Sequence, residues 1–402
     1  MKRYWFSFLF VPLILAGVGS YYIQAAANPL PEFVLQRQSG DSGITSNVVL
    51  QGNFGNNPEF TESVSIDAQG SEYRRDTTLF GKLTRSWYVP EMRKLVKDYP
   101  GFMRGKLNVR SLYEDEKRLA YVDVNSEGPA DSPDYTFDVS VLDKSTKQTV
   151  TYKTAVPGGK QYRVLIVHDV QAADENLKVL TANYAAHGEP ELHLYTLGLQ
   201  SGKEPTDQLL TYDVPVPSES EASLQTNYMS DDVKPSPYSL LYVSLSKTVK
   251  SGGSYVSEET GGRLLVFNIT NGQEVKINSK EIDDLLSGGR SNYMDMMLAG
   301  EWLTLVKRTD EGIRTVRYNI KSGQSSGQLF SPVTNPWTIA VKDHFMYVVT
   351  GSKPKGDSAP LLTVVDLASG NTVYQGIVGL RENDRHSAEI VNNLNVYGLT
   401  FQ

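Results

Sequence analysis

RLLVFNITNGQEVK, residues Arg263–Lys276, is the stretch on which the fold turns. Leu265, Phe267 and Ile269 alternate with Val266, Asn268 and Thr270, a period of two with apolar or β-branched residues on both faces, which reads as a strand. Asn271-Gly272 then supplies the positive φ that a tight turn needs. The phrase recurs as LYTLGLQSGKE over Leu194–Glu204, TVRYNIKSGQ over Thr315–Gln324 and TVVDLASGNTV over Thr363–Val373. A worn copy, VSVLDKSTKQTV, covers Val139–Val150 and carries Lys147 where the others have Gly. Aligned on the polar position before the turn, the copies sit at Asp143, Gly198, Asn268, Asn319 and Asp366, spaced by 55, 70, 51 and 47 residues. Self-similarity at such a period predicts repeated supersecondary units, and propeller repeats run to ~40–50 residues.

Outward from each copy the pattern continues. Arg118–Val124, Leu177–Tyr184, Ser239–Ser246, Glu301–Lys307 and His344–Thr350 each precede one copy across a polar or Gly/Pro-bearing loop, such as Asn125–Pro133 or Gly351–Pro360. This is a hairpin repeated five times. A further short apolar run lies before each hairpin, for instance Tyr162–Val167 or Trp337–Val341. A unit of three or four antiparallel strands is a propeller blade. It cannot bury both faces alone, so several must stack around an axis.

With those residues on the page, the chain resembles β-propeller repeat families, in particular the quinoprotein-like (PQQ-like) and YVTN-type propellers. Their blades carry apolar-x-Asp-x-x-(Ser/Thr)-Gly-(Lys/Gln). It is matched at Asp366–Asn371, Asn268–Gln273, Asn319–Gln324 and Gly198–Lys203. The resemblance covers about Leu107–Val378 and implies architecture rather than activity, since one fold hosts many functions. The tryptophan that follows the turn in those families is missing, with Tyr374 the nearest substitute, which argues against a quinone cofactor.

The expected fold is therefore all-β, a β-propeller of antiparallel three- or four-stranded sheets. The repeats supply five hairpins. Asn47–Gln51, Thr61–Ile66 and Gly70–Leu83 read as strands of another blade, and Glu389–Phe401 as the strand that closes the ring. Seven blades is the expectation, with six as the alternative. One segment breaks the pattern: in Trp87–Lys106, Pro90 opens and Pro100-Gly101 closes a short helical insertion near residues 88–104. Residues 72–106 hold nine Lys/Arg against four Asp/Glu. Arg93, Lys94, Lys97 and Arg104 are its candidate partner-binding residues, against the plainer reading of a solvated helix held by its apolar stripe.

Targeting comes from the N-terminus. Lys2 and Arg3 precede the uncharged run Tyr4–Ile23, and Ala25-Ala26-Ala27 follows. A basic head, an apolar middle and an Ala-x-Ala end describe a secretory signal peptide. The run is also long enough to span a bilayer uncut, with Tyr21 and Tyr22 placed for its interface. Residues 1–27 are thus a signal peptide or N-terminal anchor, residues 28–402 a single propeller domain, and the expected place is outside the cytoplasm, secreted or anchored to the outer side of the cell membrane. A net charge of −7 excludes general nucleic-acid binding. The absence of cysteine excludes disulfides, thiolate metal sites and a cysteine nucleophile.

Candidate chemistry is sparse. Asp123, Asn125 and Glu127 alternate ahead of Gly128, and Asp134 follows, a loose echo of a calcium loop. Calcium is the one metal cofactor this spacing suggests, with a plain hairpin loop as the alternative. His187, Glu189 and His193 hold zinc-type ligands near one another, interrupted by Pro190. His168-Asp169 follows a strand and can face a channel. No G-x-S-x-G elbow or phosphate-cradling loop is present. Val214–Ser236, Ser251–Gly262 and Ser279–Asn292 read as long loops able to shape a binding surface. The function the sequence favours is a non-catalytic envelope propeller that binds a protein, peptide or envelope polymer, with its oligomeric state open. The alternatives are a propeller enzyme with a channel-mouth site, calcium-dependent lactonase-like or glycan-cleaving, and a membrane-anchored scaffold.

Overall fold

The computed structural model describes residues 30–401 except 56–60, 77–89, 130–132, 187–188, 201–202, 215–219, 226–232, 288–293, 331–335, 352–358 and 383–386. Residues 1–27, expected to be a signal peptide or anchor, and the ligand candidate His187 lie outside the described residues.

The alternating stretches pair into antiparallel sheets in chain order. Blade 2 holds Leu112–Glu114, Arg118–Glu127, Asp134–Asp143 and Thr149–Ala155, and blade 3 holds Val164–Ala173, Asn176–Tyr184, Glu191–Gly198 and Thr206–Leu210. Blade 4 follows with Glu221–Gln225, Tyr238–Ser251, Ser254–Asn268 and Glu274–Val275, and blade 5 with Met294–Ala299, Trp302–Thr309, Gly312–Asn319 and Ser325–Phe330. Blades 1 and 6 close the ring. Blade 1 combines Val48–Phe54, Glu62–Ile66 and Ser71–Tyr73 with the C-terminal strand Leu394–Phe401 as its first member. Blade 6 combines Pro336–Lys342, Phe345–Thr350, Leu361–Asp366 and Thr372–Leu380 with Phe33–Gly40 as a fifth strand. The first strands of blades 2 and 3, of 5 and 6, and of 6 and 1 lie against one another, as the inner walls of a propeller do. The described residues thus form a propeller of six sheets, the smaller of the two counts the sequence allowed.

The core lies between blades. Separate apolar clusters join blades 2 and 3 (Phe137, Val170, Tyr195), 3 and 4 (Leu180, Leu194, Phe267), 4 and 5 (Val266, Leu303, Leu305), 5 and 6 (Val306, Ile313, Met346), and 6 and 1 (Leu50, Val349, Tyr374). A sheet with such a cluster on either side hides both faces only by having neighbours.

The repeated phrase has one geometry. Asn268 Oδ1 accepts from the amides of Thr270 and Asn271, Asn319 Oδ1 from Lys321 and Ser322, and Asp366 Oδ1 from Ala368 and Ser369. Each turn then closes on a glycine of φ about +70° to +76° (Gly272, Gly323, Gly370). Asp67 caps a shorter turn in blade 1 in a similar way, its Oδ1 accepting from the amides of Gln69 and Gly70, but the turn closes by a bond from the Asp67 amide to the Gly70 carbonyl.

Several expectations change. Phe33–Gly40, ahead of the first strand expected from the sequence, is itself a strand, because only Phe33 and Leu35 need burial on an outermost edge. Gly70–Leu83 gives only Ser71–Tyr73 before a 3-10 turn at Arg74–Asp76, and residues 77–83 lie outside the described residues. Val214–Ser236 contains Glu221–Gln225, the first strand of blade 4. Ser251–Gly262 is no loop: Tyr238–Ser251 and Ser254–Asn268 pair up to Gly252-Gly253, both at positive φ, with one bulge at Thr260. Pro100 does not end the helical insertion but opens its second piece, Pro100–Met103, behind Pro90–Asp98.

Candidate functional site

At one end of the ring, a segment of blade 4 leaves its own sheet. The carbonyl of Val233 accepts from the Glu114 amide of blade 2 at 2.7 Å, the Ser236 amide donates to Gln171 Oε1 of blade 3 at 2.9 Å, and the Pro237 carbonyl accepts from Ile269 at 3.0 Å. Residues 233–237 are thus a strap tied to three blades. Residues 233–236 of it belong to the insertion that the sequence marked as able to shape a surface.

Beneath the strap lies a cavity of about 60 Å³, lined by Arg110, His168, Asp169, Gln171, Ser239 and the strap residues Lys234–Ser236 among others. His168 reaches it by a backbone irregularity. Asp169 pairs with Leu180 and Val167 with Thr181, so His168 is the extra residue of a bulge in the innermost strand of blade 3. Bulges re-aim a side chain at the cost of local pairing. Trp337 and Tyr397 are the extra residues in the innermost strands of blades 6 and 1.

The cavity's polar groups divide in two. The Asp169 carboxylate is engaged: it accepts from Gln171 Nε2 at 3.0 Å and bonds Ser239, and burial raises its pKa. His168 is 2% exposed and neither ring nitrogen has a hydrogen-bond partner. Burial, together with the charge of Arg110, lowers its pKa to about 4, so the ring is neutral at pH 7. Arg110 is held in the 3-10 turn Val109–Ser111, whose cap Asn108 accepts from the Arg110 amide at 3.1 Å and donates to Ser111 Oγ at 2.9 Å. A Ser–His–Asp relay is not assembled, because the histidine bridges neither Ser239 nor Asp169.

The basic insertion adjoins this cavity. Met92, Leu95, Phe102 and Met103 bury against Leu112, Leu119, Tyr121 and Leu142 of blade 2 and Val233 of the strap. Each such side chain contributes about 1.5–3 kcal/mol on burial, enough to hold helices too short to persist alone. Lys94, Lys97 and Arg104 remain exposed, while Arg93 is half-buried with a partner of its own. Tyr99 lies under the ammonium groups of Lys144 and Lys147 at 5.5 and 5.4 Å. The nearby acids are engaged, with Glu114 bonded to Lys144 at 2.6 Å and Asp115 to Arg118 at 3.0 Å.

The other sequence candidates are placed as follows. Asp123, Asn125 and Glu127 lie in the strand Arg118–Glu127, with Asp134 opening the next strand directly across from Glu127. Asp123 accepts from Tyr121 and from the Val124 amide, and Asp134 pairs with exposed Lys160 at 2.9 Å. Only Glu127 and Asp134 of the four face each other across the ladder, and among the described residues no three His, Asp or Glu are grouped to hold a metal ion. Buried His193 is instead the hub of a network that reaches the surface: Nδ1 meets Asp207 Oδ1 at 2.8 Å, Nε2 meets Tyr162 Oη at 2.9 Å and the exposed Glu191 at 3.3 Å, and its ring stacks on Tyr195. Glu189 is exposed and apart from it.

With this geometry in hand, neither a family model nor a curated protein sequence matches the chain. Among solved structures it is similar to a puromycin-hydrolysing peptidase of Mycobacterium tuberculosis, at 16% identity over 63% of this chain and 34% of that one, with a TM-score of 0.26. It is also similar to TolB of Acinetobacter baumannii, at 12% identity over 66% and 70% with a TM-score of 0.22, and to a prolyl endopeptidase, at 11% over 88% and 49% with a TM-score of 0.30. The chain spans only 34% of the length of the first. Likenesses this distant carry no argument about activity; the propeller fold rests on the sheet order itself.

Proposed function

We propose that the chain is an exported binding module that docks an acidic segment of a protein, peptide or envelope polymer on the strapped end of the propeller. The observation that carries this reading is the insertion Pro90–Met103. Its apolar stripe is spent on blade 2 and the strap, so Lys94, Lys97 and Arg104 are fixed in place yet left facing solvent. A charge held on a docked helix loses less freedom on binding than one on a loose tail, and a cluster of like charge steers an oppositely charged partner. Export is the reading supported by the basic head, apolar run and Ala-x-Ala end of residues 1–27.

The test uses the full chain and poly-L-glutamate as an acidic polypeptide probe. Binding should weaken with added salt and fall on the order of tenfold or more when Lys94, Lys97 and Arg104 are all exchanged for Glu. Equal binding by the triple variant and the parent, at matched folded fraction, would remove this face from consideration.

A further inference from the structure

The ring of His193 is enclosed by groups whose hydrogen-bond capacities can be counted. Nδ1 lies 2.8 Å from Asp207 Oδ1, on the outermost strand of blade 3. Nε2 lies 2.9 Å from Tyr162 Oη, on the segment leading into the innermost strand, and 3.3 Å from Glu191 Oε2 on its own strand. Tyr162 Oη also bonds Glu191 Oε2 and accepts from Gln161 Nε2 at 2.7 Å. The other neighbours carry no charge. Tyr195, kept protonated by burial, stacks on the ring, and the second strand brings Thr181 opposite it and Asn183 bonded to Tyr195. No three metal-type ligands are grouped among the described residues, and both ring nitrogens face protein groups, so the ring is placed to hold protons rather than a metal ion.

This count fixes the protons. An ionised carboxylate only accepts, so the contact with Asp207 requires Nδ1–H. Glu191 is ionised at neutral pH, because the bonds from Tyr162 and His193 hold its pKa below the usual value. The single proton of the Tyr162 hydroxyl is used on Glu191, which leaves its oxygen to face Nε2 as an acceptor, and that requires Nε2–H as well. Tyr162 keeps its own proton throughout, since burial and the bond to Glu191 push its pKa up to about 12. Every group is satisfied only when His193 is the imidazolium. Without the Nε2 proton, two acceptors, Nε2 and Glu191, compete for one hydroxyl proton. Glu191 is the one that can turn to water: its side chain is 52% exposed, that of His193 5%. The buried nitrogen is the costlier one to leave bare, so the hydroxyl goes to the ring.

We propose that His193 is a proton-operated latch on the outer edge of blade 3. Doubly protonated, it joins three pieces of chain: the strand Thr206–Leu210 through Asp207, the lead-in segment through Tyr162, and the third strand through Glu191. Loss of the Nε2 proton turns the Tyr162 hydroxyl to the ring, releases Glu191 into solvent and removes the charge that strengthens the bond to Asp207. Glu191, which touches Nε2 and reaches the surface, gives that proton its way out. Burial works against the charged ring, but the bond and charge of Asp207, then of Glu191, outweigh it and leave the pKa above its ordinary value of about 6.5. The latch is therefore closed on the acid side of the folded value and open on the alkaline side, where the edge gains a free carboxylate. It stands apart from the strapped end, since none of its residues lines the cavity there or belongs to the insertion.

The experiment reads the ring and the strand together. The full chain, with its histidines isotope-labelled, is followed by NMR from about pH 5 to about pH 9, and the His193 ring signals are assigned by their loss in His193→Gln. On the acid side both nitrogens should carry a proton, and the midpoint should lie above about 6.5. Glu191→Gln replaces an acceptor-only partner by an amide and should lower the midpoint by about half a unit or more. Should His193→Gln lower the folded fraction, the signals are assigned instead by their displacement in Glu191→Gln, whose side chain is exposed. Amide hydrogen exchange over Thr206–Leu210 reads the latch. Corrected for the intrinsic rise of exchange with pH, protection there should fall on the order of threefold or more across the midpoint. The matching outer strand Ser325–Phe330 of blade 5, which has no histidine, should not follow it. One unprotonated ring nitrogen on the acid side, a midpoint at or below about 6.5, or a midpoint unmoved in Glu191→Gln would overturn the latch. Exchange in Thr206–Leu210 that ignores the titration would overturn it equally and leave His193 a static core group.

Discussion

Lys147 holds a backbone conformation, φ +60°, that the equivalent turns give to Gly272, Gly323 and Gly370. A side chain there costs about 1–2 kcal/mol, and glycine gives back about 0.5–1 of that through its freer unfolded chain, leaving about 0.5–1 against lysine. The Lys147 ammonium, however, lies 5.4 Å from the Tyr99 ring centre, a contact of about 0.5 kcal/mol at an exposed site. The two nearly cancel, which is how one copy of the turn tolerates a residue the others exclude. At Gly323 no such contact offsets the strain, and an added Cβ meets nothing nearer than Tyr318 Oη at 3.7 Å. Gly323→Ala should therefore lose about 0.5–1 kcal/mol in urea unfolding. Lys147→Gly should stay within about 0.5 kcal/mol of the parent and become stabilising only once Tyr99 is replaced by Leu. A gain of the full 0.5–1 kcal/mol for Lys147→Gly alone, unchanged when Tyr99 is replaced by Leu, would mean that the aromatic contact contributes about nothing.

At the scale of the element, the middle strands of blades 3 to 6 were legible because both their faces are buried between neighbours, so their sequence is apolar by alternation and by count. The first strands were harder. Glu221–Gln225 faces blades on one side only, and its polar letters blend into the insertion around it. The site was legible to the extent of the pair His168-Asp169. Its bulge and the strap above it were not, since the bonds that make them join residues 63 and 65 apart, such as Gln171 to Lys234 and Ser236. Blade 3 shows the same difficulty. Its turn begins with Gly198, which has no side-chain oxygen, and its outer strands are held instead by His193 on the third strand and Asp207 on the fourth. Facing that ring are Glu191 on its own strand and Tyr162 from the segment leading into the first, while Tyr195 stacks on it and is bonded by Asn183 of the second strand. Burial pulls the His193 pKa down, but the bond and charge of Asp207, then Glu191, outweigh it and leave the value raised. A raised folded value stabilises fully below the unfolded pKa of about 6.5 and is lost as pH climbs through the folded one. The His193 contribution to the thermal midpoint should thus fall as pH rises from about 6 toward 8, while the buried neutral His168 contributes the opposite trend near pH 6, so His193→Gln should leave a midpoint that rises more, or falls less, across this range. An identical slope in the variant would place the pH dependence elsewhere.

For the whole molecule the decisive feature is that both ends of the described chain are spent on closure, at different depths. Leu394–Phe401 is the first strand of blade 1, with Leu394 and Val396 at 1% and 0% exposure, and it packs against the first strand of blade 6. Phe33–Gly40 is the fifth and outermost strand of blade 6, where Phe33 and Leu35 reach into the cluster shared with blade 1. Removing the outer strand uncovers Thr372–Leu380, which then becomes an ordinary outer edge, and takes two large side chains from the core at about 1.5–3 kcal/mol each. Removing the inner strand uncovers Val48–Phe54 at the axis and deprives two blades of their shared wall, so the ring is open rather than thinner. An open sheet with an unpaired, apolar edge invites pairing with another chain. Deletion of residues 394–402 should therefore give a chain that elutes as aggregates and lacks a cooperative melt, whereas deletion of residues 30–41 should leave a folded chain with a lower midpoint. Size-exclusion chromatography with thermal unfolding decides between them. If the two deletions behave alike, closure at the axis carries no more of the stability than the outer edge does, and the ring is held by its inter-blade clusters alone.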